Sequence, residues 1–490
     1  MRFFADGPDI PDELLQLRDE GRVVYFCGAG ISMGNAGLPN FGGLAWKVLQ
    51  SLRSRDGSEE RRLLEAMNKL AADGLGNVIS ADRIFSIAEK TYGREQVASK
   101  VSEALQPPAN ADLSAHRTIL KLSTQQSGGI RLITTNFDRL FESCNNKLPS
   151  LTRSTLPRVA LGNDDWGIVH LHGRVAENLA APDTEGFVLS SGDFGDAYLA
   201  NGWARDFVHE ILENYAAVFI GYTADDPPIR YLLEGLRRSE DGKNRLFAFQ
   251  DGPQDEAIAN WDEKGVTAIG YDVDSGDVTH TRLYATLDAW AVRAQNSIKW
   301  RSRVFRLCQH GPRHLSPHHR GMLAHIVKTT HGALAFRRHE PPISPEWLCV
   351  LDPRVRFSEA GKIKGWNEPS QVVDPFVLYG LDSDSIPATS NDEFSPKREV
   401  PSDAWDAFAL NRQDRLVLAE RHTSSLRDRY SWHLPSLCPR VSALGDWISI
   451  WAHHPATIWW AAQQPALHPE IKDSVRWSLS RKNGRIRKVI

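Results

Sequence analysis

The stretch Val23-Val24-Tyr25-Phe26-Cys27-Gly28-Ala29-Gly30-Ile31-Ser32-Met33-Gly34 decides how this chain reads. Its first five residues are apolar and uncharged, as in a parallel strand buried on both faces. The glycine turn that follows lets backbone N–H groups approach a pyrophosphate, with the positive end of the next helix behind them. The plainer reading is an ordinary tight bend. The turn differs from the dehydrogenase fingerprint, because Met33 stands where the third glycine belongs. Nor does an acidic residue close a second strand about twenty residues on; that region, SLRSRDGSEERR, reads as a polar turn between helices. A hydride-transferring dehydrogenase is therefore disfavoured. The chain also lacks Gly-x-x-x-x-Gly-Lys-Ser/Thr, which disfavours a P-loop ATPase.

Working outward, further β-rich runs stand at Ile130–Thr134, Ile168–Leu171, Phe187–Leu189, Ala217–Ile220, Leu246–Phe249 and Thr267–Ile269. Helical stretches alternate with them. The pattern predicts the α/β class, a doubly wound, mostly parallel Rossmann-like sheet. Roughly a hundred residues separate the first two strands, far more than a crossover needs. Helical patterns at Glu59–Ala72 and Ala81–Lys90 place an inserted helical layer there, either as extra packing or as a lid. The turn continues as Gly37-Leu38-Pro39-Asn40-Phe41-Gly42-Gly43-Leu44, a loop of low bulk suited to folding over a ligand.

Near residue 295 the composition changes. Eleven of the 15 tryptophans lie from Trp290 onward, and they read as core and interface anchors. Leu410–Arg429 and Val441–Trp451 look helical, and the polar, proline-containing 380–402 reads as a linker. The expected organisation is a catalytic α/β domain over 1–295, a mixed, loop-rich connecting region over 296–400, and a helical regulatory or assembly region over 401–490.

Composition narrows the classes. With 41% hydrophobic and 24% charged residues, the 490-residue chain has the balance of a folded, soluble protein. A formal charge of -3 gives no indication of a nucleic-acid partner or an anionic membrane surface. The five cysteines, at 27, 144, 308, 349 and 438, form no Cys-x-x-Cys pair, which suits a reducing compartment. The start, MRFFADGPDIPDELL, lacks the basic head and apolar run of a signal peptide. No apolar stretch reaches the ~20 residues that span a bilayer. The expected location is cytoplasmic, with no membrane partner. His310, His314, His318, His319, His325, His331 and His339 crowd one stretch, but Pro312 and Pro317 interrupt it and no carboxylate completes a site. No metal is expected.

Polar clusters close three of the expected strands: Thr134-Thr135-Asn136-Phe137-Asp138, His170-Leu171-His172-Gly173 and Gly221-Tyr222-Thr223-Ala224-Asp225-Asp226-Pro227. In an open parallel sheet the carboxyl ends share one edge, where ligands bind. That places Asn136, Asp138, His172 and the 28–32 turn on one rim. Each has a plain alternative. Asn136, Asp138 and Asp226 suit helix caps, and His172 before a glycine suits a turn.

Taken together, GAGIS at 28–32, GLPNF at 37–41, TTNFD at 134–138, HG at 172–173 and GYT at 221–223 resemble the motifs of the sirtuin superfamily, in the same order. The resemblance covers roughly the first three-fifths of the chain. Protein-deacylating sirtuins carry a zinc ribbon of two Cys-x-x-Cys pairs after His-Gly; this chain has no cysteine between 145 and 307. Thr135 and Asn40 stand where the family has Gln and Asp. In these departures, and in GYTADDPPIRYLLEGL, the chain resembles the sirtuin-like NAD hydrolases of bacterial anti-phage defence.

The resemblance implies cleavage of the nicotinamide–ribose bond of NAD. It assigns the pyrophosphate to the turn Gly28, Ala29, Gly30 and Ser32, through the Ala29 and Gly30 amides and the Ser32 hydroxyl. Pro39 and Phe41 belong to the ligand-covering loop. Asp138 accepts from the nicotinamide carboxamide. Asn136 holds the attacking water or a ribose hydroxyl, and His172 acts as general base or orients the ribose hydroxyls. Gly221 and Thr223 meet the adenosine side, and Gln250 the adenine. Homo-oligomerisation and activation by a phage or partner protein are further implications. The rival readings are an NAD-dependent deacylase or ADP-ribosyltransferase, and a non-catalytic NAD or ADP-ribose sensor.

Overall fold

The computed structural model of the chain describes residues 1–72, 79–159, 166–221, 233, 245–312, 315–352, 406–410, 413–418, 437–463 and 469–482. Thr223, His314, the 380–402 segment and most of Leu410–Arg429 lie outside the described residues. Contacts divide the chain into two compact units, Asp6–Asn296 and Met1–Ala5 with Ser297–Ile490.

The first unit is built on seven strands: β1 Val23–Cys27, β2 Arg131–Thr134, β3 Ser150–Leu151, β4 Gly167–His170, β5 Ala216–Ile220, β6 Leu246–Asp251 and β7 Thr267–Tyr271. They form one sheet in the order β3-β4-β2-β1-β5-β6-β7. All strand pairings in it are parallel. β1, β2, β4 and β5 are buried along their whole length, which explains their largely apolar character. Val24 and Phe26 enter a core with Ile133, Val169, Phe219, Phe207 and Trp261. Tyr25 points the other way and meets Trp290 edge-on, with 6.1 Å between ring centroids. Helices therefore cover both faces, Trp203–Asn214 on one and Thr281–Gln295 on the other. This is the doubly wound α/β architecture expected from the strand pattern.

One expected strand is absent. Phe187–Leu189 is irregular, although Phe187 and Leu189 are buried. Their apolar character reflects packing into a separate core under the inserted helices, and the short β3 went unrecognised. After the short helices α1 Asp12–Asp19 and α2 Gly30–Gly34, the insertion consists of α3 Phe41–Ser51, α4 Glu59–Ala72, α5 Ala81–Tyr92 and α6 Arg94–Ala104. Leu44, Val48, Phe85 and Val101 form its core together with Phe137, from the loop after β2. The residues Phe41 to Leu44, expected as loop, are the first turn of α3. Asn40 caps that turn by accepting from the Gly43 N–H at 2.8 Å.

The described part of the second unit is helical, with Ser297–Cys308, Pro317–Val327, Thr330–Arg337 and Pro439–Ile450 as its main segments. Its buried tryptophans pack and also find acceptors, as large amphipathic rings must. Trp347 donates to the Cys308 carbonyl at 2.7 Å, Trp447 to the Ile343 carbonyl at 2.9 Å and Trp460 to Asp352 at 2.8 Å. A buried Arg440–Asp414 pair at 2.6 Å ties in residues 406–410 by donating also to the carbonyls of Ala407 and Ala409. No described helix is long and apolar enough to cross a membrane.

Candidate active site

Strand register fixes the site before side chains are considered. Ile220, Cys27, Thr134 and His170 lie side by side across β5, β1, β2 and β4. The residues that follow them leave the sheet on one rim. The strand order reverses at β1, so this rim is the crevice where open α/β sheets bind ligands.

Gly30 and Gly221 are glycines because two backbones meet there. A Cβ on Gly30 would lie 2.8 Å from Gly221 Cα, and one on Gly221 would lie 2.6 Å from the Ile31 nitrogen. Gly221 also has φ +58°. The Gly30 N–H donates to the Gly221 carbonyl at 2.8 Å. Expected as a phosphate donor, that amide is committed to closing the two loops on each other. The Ala29 N–H has no partner among the described residues.

A cavity of about 610 Å³ opens over this rim, within the ~300–1,000 Å³ of ordinary ligand sites. Gly28, Ala29, Gly30, Ser32, Pro39, Phe41, Asn136, Asp138, His172, Gly221 and Gln250 all line it. The site residues expected from sequence and described in the structure thus share one cavity. Met67, Asn68 and Ser80 of the insertion form part of its wall. Phe41 is held by aromatic contacts with Phe85 and Phe194.

Asn136 is 8% exposed and held from several directions. Its side-chain nitrogen donates to the Gly28 carbonyl at 3.1 Å and to Ser32 Oγ at 3.3 Å. A carbonyl only accepts, so the Gly28 contact fixes which end of the amide is nitrogen. Both N–H bonds are thereby engaged, and Oδ1 is the group left to act on a ligand. Ser32 Oγ donates to Asp138 Oδ2 at 2.9 Å and lies 3.2 Å from His116 Nε2. Its one hydrogen is directed to Asp138, not to the pyrophosphate for which it was expected. Ser32 instead holds Asn136 and Asp138 in place. Asp138, one residue ahead of Arg139 at the N-cap of the helix Leu140–Cys144, also accepts from the Leu140 N–H at 3.1 Å.

His172 is 3% exposed; Phe194 packs edge-on to its ring at 5.2 Å, and Nε2 meets the Tyr198 hydroxyl at 2.9 Å. Burial alone pushes its pKa down to about 3. The ring is neutral at any physiological pH. Gly173, next in the chain, has φ +84°, and a Cβ there would lie 2.1 Å from the Gly186 carbonyl oxygen, so only glycine fits.

Gln250, expected at the adenine, lines the cavity with its amide already bonded within the protein. Its carbonyl accepts from Trp261 Nε1 at 3.1 Å and its amide nitrogen donates to Asp251 Oδ1 at 3.0 Å. Asp251, Tyr271 and His280 line the same end of the cavity and escaped the sequence reading, as did His116, Phe194 and Tyr198. His116 left one signal, a histidine on the apolar face formed by Ala115, Ile119 and Leu122 of α7 Ser114–Ser123. Burial holds its pKa below the usual range, against the pull of Asp138. Tyr198 lies in the π-helical turn Asp196–Ala200, which no residue pattern announces. Among the described residues no group of three or more His, Cys, Asp or Glu gathers as a metal site would require.

Residues 130–269 match the family model described as SIR2-like domain. The chain is also 33% identical over 326 residues, 64% of its length, to Uncharacterized protein y4cA of Sinorhizobium fredii (strain NBRC 101917 / NGR234). The matched part is 26% of that protein, so the chain spans about a quarter of the curated relative's length. Motif order and sheet agree with the family match, a SIR2-like domain over residues 130–269.

Proposed function

We propose that the α/β unit is an NAD+ glycohydrolase, releasing nicotinamide and ADP-ribose. The observation that carries this is the placement of Asn136. Its amide nitrogen is anchored to the glycine turn, and the residue lines a cavity together with His172 and Asp138.

The chemistry asks little of the protein. The bond between ribose C1′ and the nicotinamide nitrogen breaks, and its electron pair neutralises the cationic ring. A water oxygen bonds to C1′ as the centre passes through an oxocarbenium-like state, and its proton leaves to solvent. Asn136 Oδ1 accepts a hydrogen from that water or from a ribose hydroxyl. With its pKa at about 3, His172 is too weak a base to drive proton removal, so it orients the ribose hydroxyls. Asp138 keeps a free lone pair for the carboxamide, and the Ala29 N–H supports the pyrophosphate.

The wider role follows the resemblance: NAD depletion in anti-phage defence, in the cytoplasm where the cell holds its NAD. Such an activity must be held off until needed. We assign that gating to the region beyond residue 295, with 296–400 connecting and 401–490 regulating or assembling, through a homo-oligomer and a phage or partner-protein activator.

Incubating the purified chain with NAD+ alone, with and without candidate activators, tests the reading by chromatography. Nicotinamide and ADP-ribose released without an acceptor support it. Turnover only with an added acceptor supports a transferase, and binding without product a sensor; either outcome overturns hydrolysis.

A further inference from the structure

His170 stands two residues before His172 and has no part in the chemistry above. It is the last residue of β4, fully buried, in register with Thr134. Its Nδ1 lies 3.1 Å from the Asn136 carbonyl oxygen and its Nε2 lies 3.0 Å from Glu142 Oε1. A carbonyl oxygen can only accept, so Nδ1 carries a proton. Nε2 faces a carboxylate, which also only accepts. The ring is thus held between two acceptors, a backbone carbonyl and a buried carboxylate.

The surroundings fit that state. Glu142 Oε1 also accepts from Ser150 Oγ at 2.6 Å, and Arg174 and Arg139 approach the same oxygen at 3.9 and 4.0 Å. Burial works to raise the Glu142 pKa. The hydrogen bond and charge of His170, with the Ser150 hydroxyl, overcome that and hold it down to about 2. The carboxylate is thus ionised where it faces the ring.

The geometry points to His170 as a positioning residue for Asn136, clamping the backbone of the catalytic loop through its carbonyl while Glu142 holds the ring. This inference rests on the reading of Asn136 as catalytic. The rest of the loop's backbone is pinned by neutral bonds. The Thr135 N–H donates to the Cys27 carbonyl at 3.1 Å, the Asn136 N–H to Thr134 Oγ1 at 3.1 Å and the Val175 N–H to the Phe137 carbonyl at 2.8 Å. The His170 bond differs from these in coming from a ring that a buried carboxylate holds on its far side. It acts on the peptide that carries the Asn136 side chain. A misplacement of about 1 Å at such a group can reduce turnover by about a hundredfold.

Two substitutions separate the clamp from mere packing. In His170→Asn the side-chain nitrogen takes the place of Nδ1 and can still donate to the Asn136 carbonyl. In His170→Gln the nitrogen takes the place of Nε2 and reaches only toward Glu142. Both replace the ring with a buried amide. With the full chain and NAD+ as substrate, His170→Gln is expected to lose about tenfold or more in kcat with KM within about twofold, while His170→Asn stays closer to wild type. Equal kcat values, or the reverse order, would overturn the assignment. Should both variants fail to fold, the wild-type chain labelled with 15N-histidine decides by its ring nitrogens. A proton on Nδ1 of His170, hydrogen-bonded to the Asn136 carbonyl, supports the clamp, and a bare Nδ1 rules it out. A wild-type chain that leaves NAD+ intact while Nδ1 carries its proton tells against the hydrolase reading and leaves the clamp standing.

Discussion

The two ends of the cavity are built on different terms. At the end over β1, β2 and β4, Ser32, Asn136, Asp138 and His172 are each no more than 8% exposed. Their polar atoms are tied to groups from separate elements. At the end over β6 and β7, Asp251 is exposed and Gln250 and His280 are half-buried. There the bonds are local, such as the Tyr271 hydroxyl to His280 Nδ1 at 2.9 Å. The difference matches two tasks. A group that must meet a reacting atom needs its position fixed to a fraction of an ångström, whereas a group that only holds a nucleoside tolerates solvent and rearrangement. It also follows that substitutions at the first end should act on kcat, and those at the second on KM.

The largest effect is expected at Asn136. Asn136→Ala should lower kcat by ~10²–10⁴-fold, the range for losing a positioned catalytic group. Asn136→Asp sharpens the point. It keeps the shape and the acceptor but turns an oxygen toward the Gly28 carbonyl, which has nothing to donate. It should be as inactive as alanine, in single-turnover assays as well. An Asp variant with substantial turnover would mean that the link to the glycine turn does not matter.

Ser32→Ala comes next. It removes one hydroxyl that serves both Asn136 and Asp138, without touching the glycine turn. A fall in kcat of roughly ten- to a hundredfold with little change in KM is expected, from lost orientation. If KM rises instead, the hydroxyl serves the phosphates after all and the contrast between the two ends weakens.

His172 allows a test on stability. It stays neutral in the folded chain down to about pH 3, whereas an unfolded histidine takes a proton near its ordinary 6.5. Between those values the unfolded state binds more protons, so stability falls as pH drops from about 6.5 toward 3. The full linkage amounts to at most about 4–5 kcal/mol, from about 1.4 kcal/mol per unit. Glu142 adds an acid sensitivity at lower pH, as its carboxylate, held down to about 2, takes a proton below the ordinary 4.5. In His172→Gln the loss of melting temperature between pH 7 and 5 should flatten. An unchanged slope would show that the ring is not buried neutral.

How much of this was legible in the sequence follows the same division. The β1 turn and the clusters after β2 and β4 were readable because each joins a fully buried strand to polar residues on a short loop. Period and composition change there within a few residues. Phe187–Leu189 misled because burial against the inserted helices produces the same apolar run as a strand. The committed Gly30 amide and Ser32 hydroxyl were not readable at all. A residue type shows what a group can donate, whereas only the packing of Gly221 and Asp138 shows where that hydrogen goes. His116 and Tyr198 reach the site from helices far away in the chain, and no local spacing links them to it.

Gln250 should show the smallest effect and gives the sharpest test of the solvent-exposed end. Its amide already bridges Trp261 and Asp251, so a nucleoside gains little from it directly. Gln250→Ala removes a prop rather than a ligand contact, leaving Trp261 Nε1 without its acceptor and Asp251 less constrained. A net hydrogen bond is worth about 0.5–1.5 kcal/mol, so KM for NAD+ should rise by about two- to tenfold with kcat unchanged. Titrating with NAD+ and with nicotinamide mononucleotide separates the contributions. The mononucleotide lacks the adenosine half, so its turnover should not respond to the substitution. Equal losses on both substrates would place Gln250 in the service of the reacting end and erase the division between the two.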